Sequence, residues 1–130
     1  MPISILIFGC DPLLLTTRKW VLRSSGHRVW TATNPLEAAL ILSTEPIAVL
    51  ILCHTLSLEE RRQGLALAAQ GQAPGKPRVK TLLLTAGVSP EPLPFLAEVV
   101  DAMEGPARLL EAVRRIVASD ITLAPYPNPC

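Results

Sequence analysis

The chain has 130 residues, a length typical of one domain, and 49% of them are hydrophobic, which is enough to cover a central sheet with helices. The formal net charge of +1 comes from 12 basic and 11 acidic residues spread along the sequence, so we find no electrostatic footprint for nucleic acid or an anionic membrane. The longest apolar run, residues 47–53, is too short to span a bilayer, and three cysteines do not suggest a disulfide framework. We therefore expect a cytoplasmic domain in reducing surroundings whose partners are proteins.

The first strand and helix are predicted from a buried run and a capping signal. Residues 3–8 (ISILIF) are almost wholly apolar and end at Gly9, which predicts a strand buried on both faces, as in a parallel sheet. Asp11 can cap a helix that has proline at its first position, where the missing N–H costs nothing. We predict that this helix spans residues 12–25 and stops at Gly26.

The next elements continue the alternation of strand and helix. Residues 28–33 (RVWTAT) are rich in β-branched and aromatic side chains and predict the second strand. Asn34 is an N-cap signal for a helix over residues 35–43, which begins with proline. Residues 47–53 (IAVLILC) form the strongest apolar run of the chain and predict its central strand.

A third helix and a fourth strand follow. Ser57 and Glu60 have the spacing of a capping box and predict the start of the helix, which precedes a Gly/Pro loop over residues 71–77. Residues 79–84 (VKTLLL) predict the fourth strand.

The remainder of the chain is less regular. Residues 89–96 are interrupted by three prolines, so any helix there is short, and residues 99–103 predict a weak edge strand. Apolar residues at helical spacing predict the last helix over residues 106–118. The tail, residues 119–130, contains three prolines and no periodicity, and we interpret it as a flexible or docked end to a single domain spanning residues 1–118.

Five strands alternating with helices predict an α/β fold in which a doubly wound, five-stranded parallel sheet lies between two helical layers. The functional site of such a sheet lies outside the carboxyl ends of its strands, at a topological switch point. The residues that follow the first, third and fourth strands there are Gly9, Cys10, Asp11, Cys53, His54 and Thr85.

These segments, in this order, resemble the receiver domains of bacterial two-component response regulators, the CheY-like superfamily. The resemblance covers residues 3–118 and is carried by ILIFGCDP followed by a helix and SSGHRVWTAT, then by PLEAALIL, IAVLILCHTLS and LLLTA. The order and spacing of these motifs carry the resemblance, and no single motif is diagnostic. It implies a flavodoxin-like sheet with strand order 2-1-3-4-5 and a role in phosphorelay signal transduction.

The resemblance also shows which functional residues are absent at the first and third strands. A receiver carries two adjacent acids after its first strand, which hold magnesium, and a phosphoaccepting aspartate at the end of its third. By position, Gly9 and Cys10 replace the acid pair, and Asp11 stands one residue later. Cys53 replaces the phosphoacceptor.

The fourth and fifth strands complete the comparison. A receiver carries a threonine or serine at the end of the fourth strand, which Thr85 matches, and a lysine after the fifth. Residues 99–106 contain no lysine and offer Asp101 and Glu104 instead. Only the hydroxyl of the receiver site is retained.

Chemistry indicates what these replacements mean. Magnesium prefers hard oxygen ligands, which neither Gly9 nor the thiol of Cys10 supplies. A thiol at Cys53, without a metal or the lysine, would face an unshielded phosphate dianion. We therefore expect a degenerate receiver that needs no metal or cofactor, is not an enzyme and acts through protein contacts. The alternatives are an atypical receiver that still responds to phosphate and a thiol-based redox sensor that uses Cys53 and Cys10.

Two sharper hypotheses concern the same residues. Cys10, Cys53, His54 and Asp11 have the donor types of a zinc site, although their spacing matches no zinc motif. Cys53 and His54 are also the residue types of a nucleophile and its base, but adjacent residues rarely converge on one substrate atom. Both are weaker than the interpretation of Cys10 and Cys53 as small, inert, buried side chains.

The resemblance further implies a partner surface that receivers use for signalling and for dimers. It is formed by the short fourth helix expected within residues 89–96, by the fifth strand and by the last helix. On this surface we expect Pro94, Phe95, Leu96, Arg108, Glu111 and Arg115. Its partner would be a histidine kinase or a transcription regulator, or a second copy of the chain. We expect no DNA-binding effector, because the chain ends soon after the last helix. Trp20 and Trp30 are candidate anchors, although Trp20 is more typical of a partly buried packing residue.

Overall fold

The computed structural model describes residues 3–70, 79–86 and 96–123, which form a parallel sheet with helices on both sides. The strands are Ser4–Phe8 (β1), Arg28–Ala32 (β2), Val49–Leu52 (β3), Lys80–Thr85 (β4) and Leu96–Asp101 (β5). The helices are Pro12–Ser24 (α1), Pro35–Thr44 (α2), Leu58–Gln70 (α3) and Pro106–Leu123 (α4), with a single 3-10 turn at Ala102–Glu104. The strand order β2-β1-β3-β4-β5 confirms the predicted doubly wound sheet.

The sheet is buried on both faces, as its apolar strands require. Ile5 and Ile7 of β1 point into a core shared with α1 and α4, whereas Leu6 and Phe8 point into a core shared with α2 and α3. All four side chains are fully buried. Successive residues of a strand point to opposite faces, so a continuous apolar run is the pattern that two covered faces demand.

The three predicted helix starts are confirmed by their hydrogen bonds. The Asp11 carboxylate accepts from the backbone N–H groups of the first turn of α1, and Asn34 Oδ1 accepts from the N–H of Glu37 at 2.9 Å. At α3, Ser57 Oγ accepts from the N–H of Glu60 at 3.1 Å, and the Glu60 carboxylate accepts from the N–H of Ser57 at 2.9 Å. Each cap satisfies backbone donors that have no partner inside the helix.

The last strand and the last helix differ in extent from the prediction. Strand β5 covers Leu96–Asp101 instead of residues 99–103, because its charged Glu98 is accommodated at the sheet edge by arginines of α4. Helix α4 continues to Leu123, so the first five residues of the predicted tail are helical. No proline stands between Pro106, the first residue of α4, and position 125, so no proline breaks the helical hydrogen bonding up to Leu123.

Other predictions fall on residues that the structure does not describe. The Gly/Pro loop over 71–77 lies outside the described residues, as do the proline-interrupted residues 89–95 and the end of the tail, 124–130. No helix within the described ranges has the length and apolarity needed to cross a membrane.

Candidate functional site

The backbone at Gly9 lies directly against Cys53 at the carboxyl ends of β1 and β3. Cys53 donates its N–H to the carbonyl of Phe8 at 2.9 Å, which continues the β1–β3 pairing by one residue. A Cβ atom at position 9 would lie 2.9 Å from Cys53 Cβ, 3.0 Å from Cys53 Sγ and 3.2 Å from Thr55 Oγ1. The space beside Gly9 is therefore filled, and a carboxylate side chain does not fit there unless its neighbours move.

Cys10 is exposed, contrary to the buried side chain expected from sequence, and it is held by the loop and helix that follow β3. Its backbone N–H donates to Thr55 Oγ1 at 3.0 Å, and its thiol lies 3.5 Å from both carboxylate oxygens of Glu60. Desolvation, followed by the hydrogen bond and negative charge of Glu60, raises the pKa of the Cys10 thiol. Cys10 is thus a protonated thiol that donates to a carboxylate.

Asp11 is committed to capping α1. Its Oδ1 accepts from the N–H of Leu13 at 3.0 Å and from that of Leu14 at 3.4 Å. The carboxylate that follows the acid-pair position in sequence therefore caps the helix N-terminus, where negative charge is favoured by the helix dipole.

His54 lies between two arginines that the sequence analysis did not single out. Arg18 of α1 donates from NH2 to His54 Nδ1 at 3.3 Å, and Arg61 of α3 donates from NH2 to the His54 carbonyl at 3.3 Å. Desolvation and the positive charges of Arg18 and Arg61 lower the pKa of His54, partly offset by Asp11. The imidazole is therefore neutral at pH 7 and accepts a hydrogen bond from Arg18.

Arg18 also acts on the thiol of Cys53. Burial raises the pKa of Cys53, while the charge of Arg18 and its hydrogen bond to the thiol oppose that shift. Only 1% of Cys53 is exposed. The cation beside this thiol is thus Arg18, and the net direction of the pKa shift keeps Cys53 protonated.

The remaining predicted site residue, Thr85, lies at the end of β4. Its side chain is buried, and Oγ1 lies 3.5 Å from the carbonyl of Val100 on β5. Beyond β5, the Asp101 carboxylate accepts from the N–H of Met103 at 2.9 Å and caps the 3-10 turn. Thr85 therefore faces β5, and position 101 brings a carboxylate to this edge.

Magnesium, which the receiver fold implies, does not fit these donors. Gly9 offers no side chain, Asp11 is engaged by backbone donors, and Cys53 is a buried thiol. Within the described ranges, no group of three or more His, Cys, Asp or Glu residues is placed to hold a metal ion. The same arrangement gives no support to the zinc hypothesis, and both Cys10 and Cys53 are free thiols.

Three of the residues predicted for the partner surface belong to one network of ion pairs. Arg108 and Arg115 of α4 both contact the carboxylate of Glu98 on β5. Both arginines also contact Glu111, at 3.5 Å and 3.3 Å. Glu104 extends the network to Arg108 at 3.8 Å. The network joins the edge strand to the last helix.

The remaining candidates for partner contacts are Pro94, Phe95 and Leu96 of that surface and the two separate tryptophans, Trp20 and Trp30. Pro94 and Phe95 lie outside the described residues, and for Leu96 the structure describes only the backbone of β5. Trp30 is half-buried against the core. Trp20 is 64% exposed, contrary to the expected partial burial, because it lies on the outer face of α1, where Arg23 stacks on its ring at 5.9 Å from the centroid.

Three residues contact the site although sequence did not predict them as site residues: Arg18, Thr55 and Glu60, of which Glu60 was predicted only as part of a helix cap. Thr55 and Glu60 are brought to Cys10 by packing across 45 and 50 residues of chain, for which sequence offers no local signal. Arg18 had one signal: it shares a helix face with Leu14 and Val21, four residues before and three residues after it, so a charge interrupts an inward-facing stripe.

The fold and the position of this site at the carboxyl ends of the strands define a class: the chain has the fold of CheY-like receiver domains. No protein-family model and no curated protein matches the sequence.

Solved structures resemble the chain over nearly its whole length. They include the signal receiver domain of an HD domain-containing protein from Pseudomonas fluorescens, with a TM-score of 0.76 at 17% identity, covering 94% of this chain and 99% of that one. The chemotaxis protein CheY4 of Vibrio cholerae has a TM-score of 0.74 at 19% identity, covering 89% and 99%. The receiver domain of a sensor histidine kinase from Pseudomonas aeruginosa, which holds magnesium in its active-site cleft, has a TM-score of 0.73 at 17% identity. The match covers 91% of this chain and 99% of that one. At these identities, the likeness establishes the fold alone.

Proposed function

We propose that this chain is a degenerate receiver module that transmits a signal through protein contacts without aspartyl phosphorylation and without enzymatic activity. One observation carries the proposal: Gly9 and Cys53, at two positions where the resemblance expects carboxylates, are packed so closely that a side chain at position 9 would have to displace its neighbours. The packing around position 9 therefore disfavours an acidic side chain there.

Electrostatics support the same proposal. Phosphoryl transfer to a carboxylate depends on a metal ion or fixed cations that neutralise the developing charge. Here the thiol at position 53 is protonated and buried, and Arg18 already donates a hydrogen bond to His54. The raised pKa of both thiols also runs against a redox sensor, because reactive cysteines require a lowered pKa.

The phosphate half of the proposal is tested with acetyl phosphate and with beryllium fluoride, each in the presence of magnesium. We expect no mass increase from acetyl phosphate and no shift of the thermal midpoint with beryllium fluoride. A receiver with an intact acid pocket, treated in parallel, verifies that the reagents are active.

The variant Cys53→Asp is the matched control within this chain. We expect it to remain unmodified as well, because Gly9 and Cys10 still supply no carboxylate for magnesium. A phosphoryl adduct on the parent chain would overturn the proposal. An adduct on Cys53→Asp alone would refute the claim that the acid pair is also disabled.

The protein-contact half is tested on a histidine kinase or regulator encoded near this chain. We expect saturable binding to the parent and at least about tenfold weaker binding to Arg115→Glu, which reverses one charge of the β5–α4 surface. Equal affinity of the parent and Arg115→Glu would exclude that surface, and catalytic turnover of any added substrate class by the chain would contradict its assignment as a non-enzyme.

A further inference from the structure

A cavity of about 170 Å³ lies between α1 and the start of α4, beside the carboxyl ends of β4 and β5. Most of its wall is apolar: Leu14, Val21, Leu84, Val100, Ala102, Pro106 and Leu109. Apolar cavities of about 150 Å³ are large enough to bind molecules the size of benzene. The cavity therefore has room for a compact organic molecule.

One part of the cavity wall is cationic. Arg18 lines the cavity, donates from NH2 to His54 Nδ1 and also forms a hydrogen bond to the Cys53 thiol, while its NH1 is buried and has no hydrogen-bond partner within the described part of the chain. A guanidinium carries five N–H donors, and a buried donor without an acceptor is costly. The positive charge that Arg18 brings to the wall suits a carboxylate, the planar acceptor that a guanidinium prefers.

Another part of the wall is anionic. Asp101 lines the cavity and uses one carboxylate oxygen to accept from the N–H of Met103, which leaves the second oxygen free of hydrogen bonds among the described residues. Thr17 donates its hydroxyl proton to the carbonyl of Leu13 at 3.0 Å, so its lone pairs remain available as acceptors. Asp101 and Thr17 together are suited to an ammonium group.

The two wall charges do not neutralise each other. Arg18 and Asp101 line the same cavity, yet neither takes part in an ion pair between side chains that the structure describes. In a largely apolar cavity, each charge would gain from a partner of opposite sign. A ligand that carries both a negative and a positive charge would give Arg18 and Asp101 a partner each.

We propose that this cavity binds a small zwitterion with an apolar body, in chemical terms an α-amino acid with a branched aliphatic side chain. Its carboxylate would bind Arg18, its ammonium would bind Asp101 and Thr17, and its side chain would contact the apolar wall. A ligand with only one of the charges leaves the opposite wall charge without a partner. This proposal does not depend on whether the neighbouring site takes phosphate.

The test uses L-leucine as the probe and calorimetry on the full chain as the measurement. We expect a Kd on the order of 1 mM or lower. Two analogues are matched to leucine: isocaproate lacks the ammonium group, and isoamylamine lacks the carboxylate. Each should bind at least about tenfold more weakly than leucine. The absence of leucine binding, or equal affinity for either analogue, would overturn the proposal.

Variants assign the two charges to their residues. Arg18→Met should weaken leucine binding at least about tenfold, and so should Asp101→Asn, whose amide oxygen can still accept from the N–H of Met103. Arg23→Met is the matched control, because Arg23 lies on the same helix but stacks on Trp20 at its outer face. Leucine affinity at the parent value in folded Asp101→Asn would contradict the proposed role of that carboxylate, and circular dichroism verifies the fold.

Discussion

At the scale of single residues, the character of the site follows from how closely Gly9 and Cys53 approach. A Cβ atom at position 9 would lie 2.9 Å from Cys53 Cβ, 3.0 Å from Cys53 Sγ and 3.2 Å from the Thr55 hydroxyl, so any side chain there must push these atoms aside. Two of these three atoms belong to a side chain that is almost fully buried, and the close packing of protein interiors leaves little space into which it could move. The residues at positions 9 and 53 are therefore coupled by their packing, and the effect of changing one depends on the other.

This coupling predicts the effect of adding a single methyl group. Gly9→Ala should lower the free energy of unfolding by about 1 to 3 kcal/mol, because overpacking in a close-packed region forces neighbours to shift. Urea unfolding measures the change. In the background Cys53→Gly, which removes the obstructing side chain, the same substitution should cost clearly less. An equal cost in both backgrounds would show that Cys53 is not the obstacle.

A second prediction at this scale concerns Cys10 and Glu60. Desolvation is the main cause of the raised pKa of Cys10, and the carboxylate of Glu60 adds to it, so Glu60→Gln should lower that pKa and increase the thiolate fraction near neutral pH. Glutamine preserves the capping box with Ser57. Alkylation of Cys10 by iodoacetamide, measured by peptide mass, should accelerate by at least about twofold. The exposed Glu59→Gln makes the same charge change and should leave the rate unaltered; a rate in Glu60→Gln that equals this control would refute the prediction.

At the scale of elements, the start of α2 is held by one carboxylate. Glu37 Oε1 accepts from the Thr33 N–H at 2.8 Å, from the Thr33 hydroxyl at 2.7 Å and from Asn34 Nδ2 at 3.3 Å. The backbone hydrogen bond from Thr33 is the main cause of the lowered pKa of Glu37, followed by the bond from the hydroxyl. The hydrogen bonds of this turn therefore stabilise the charged form of the Glu37 carboxylate.

The direction of that shift fixes a pH dependence. Because the folded pKa lies below the ordinary value of 4.5, the stabilisation by Glu37 is fully present above pH 4.5 and is lost as the pH falls through the folded pKa. Glu37→Gln should therefore reduce the loss of unfolding free energy between neutral and acidic pH. Thr33→Ala removes the hydroxyl donor but not the N–H, so its pH dependence should lie between the other two. Identical acid profiles for the parent and Glu37→Gln would contradict this assignment.

The same scale shows what sequence could and could not predict. Apolar runs at β1 and β3 and the caps at Asp11 and Ser57 were predictable, because burial on two faces and orphan helix donors leave local signatures. The extent of β5 was not, because Glu98 breaks the apolar pattern and is accommodated only by ion pairs with another element. Arg18 was missed for a related reason: its contact with His54 joins residues 36 positions apart.

At the scale of the whole molecule, the sheet ends in two edge strands, β2 and β5, and the β5 edge is tied to α4 by the network around Glu98. Arg108 and Arg115 reach Glu98 from α4, whereas Glu111 connects the same arginines within the helix. Glu98 thus bridges two elements, and Glu111 bridges two turns of one helix. A charged edge strand also resists pairing with another chain.

This difference predicts unequal effects of removing the two charges. Glu98→Gln should lower the free energy of unfolding by about 0.5 to 1.5 kcal/mol at low salt, because a half-buried carboxylate with two arginine partners is lost and the arginines are left facing each other. Glu111→Gln is the matched control and should cost only about 0.3 to 0.5 kcal/mol, the range of pairs along an exposed helix. Both costs should shrink at about 1 M salt, where the Debye length is about 3 Å. Urea unfolding at the two salt concentrations measures both losses of unfolding free energy. A larger loss for Glu111→Gln than for Glu98→Gln would show that the network stabilises α4 alone and not its attachment to the sheet.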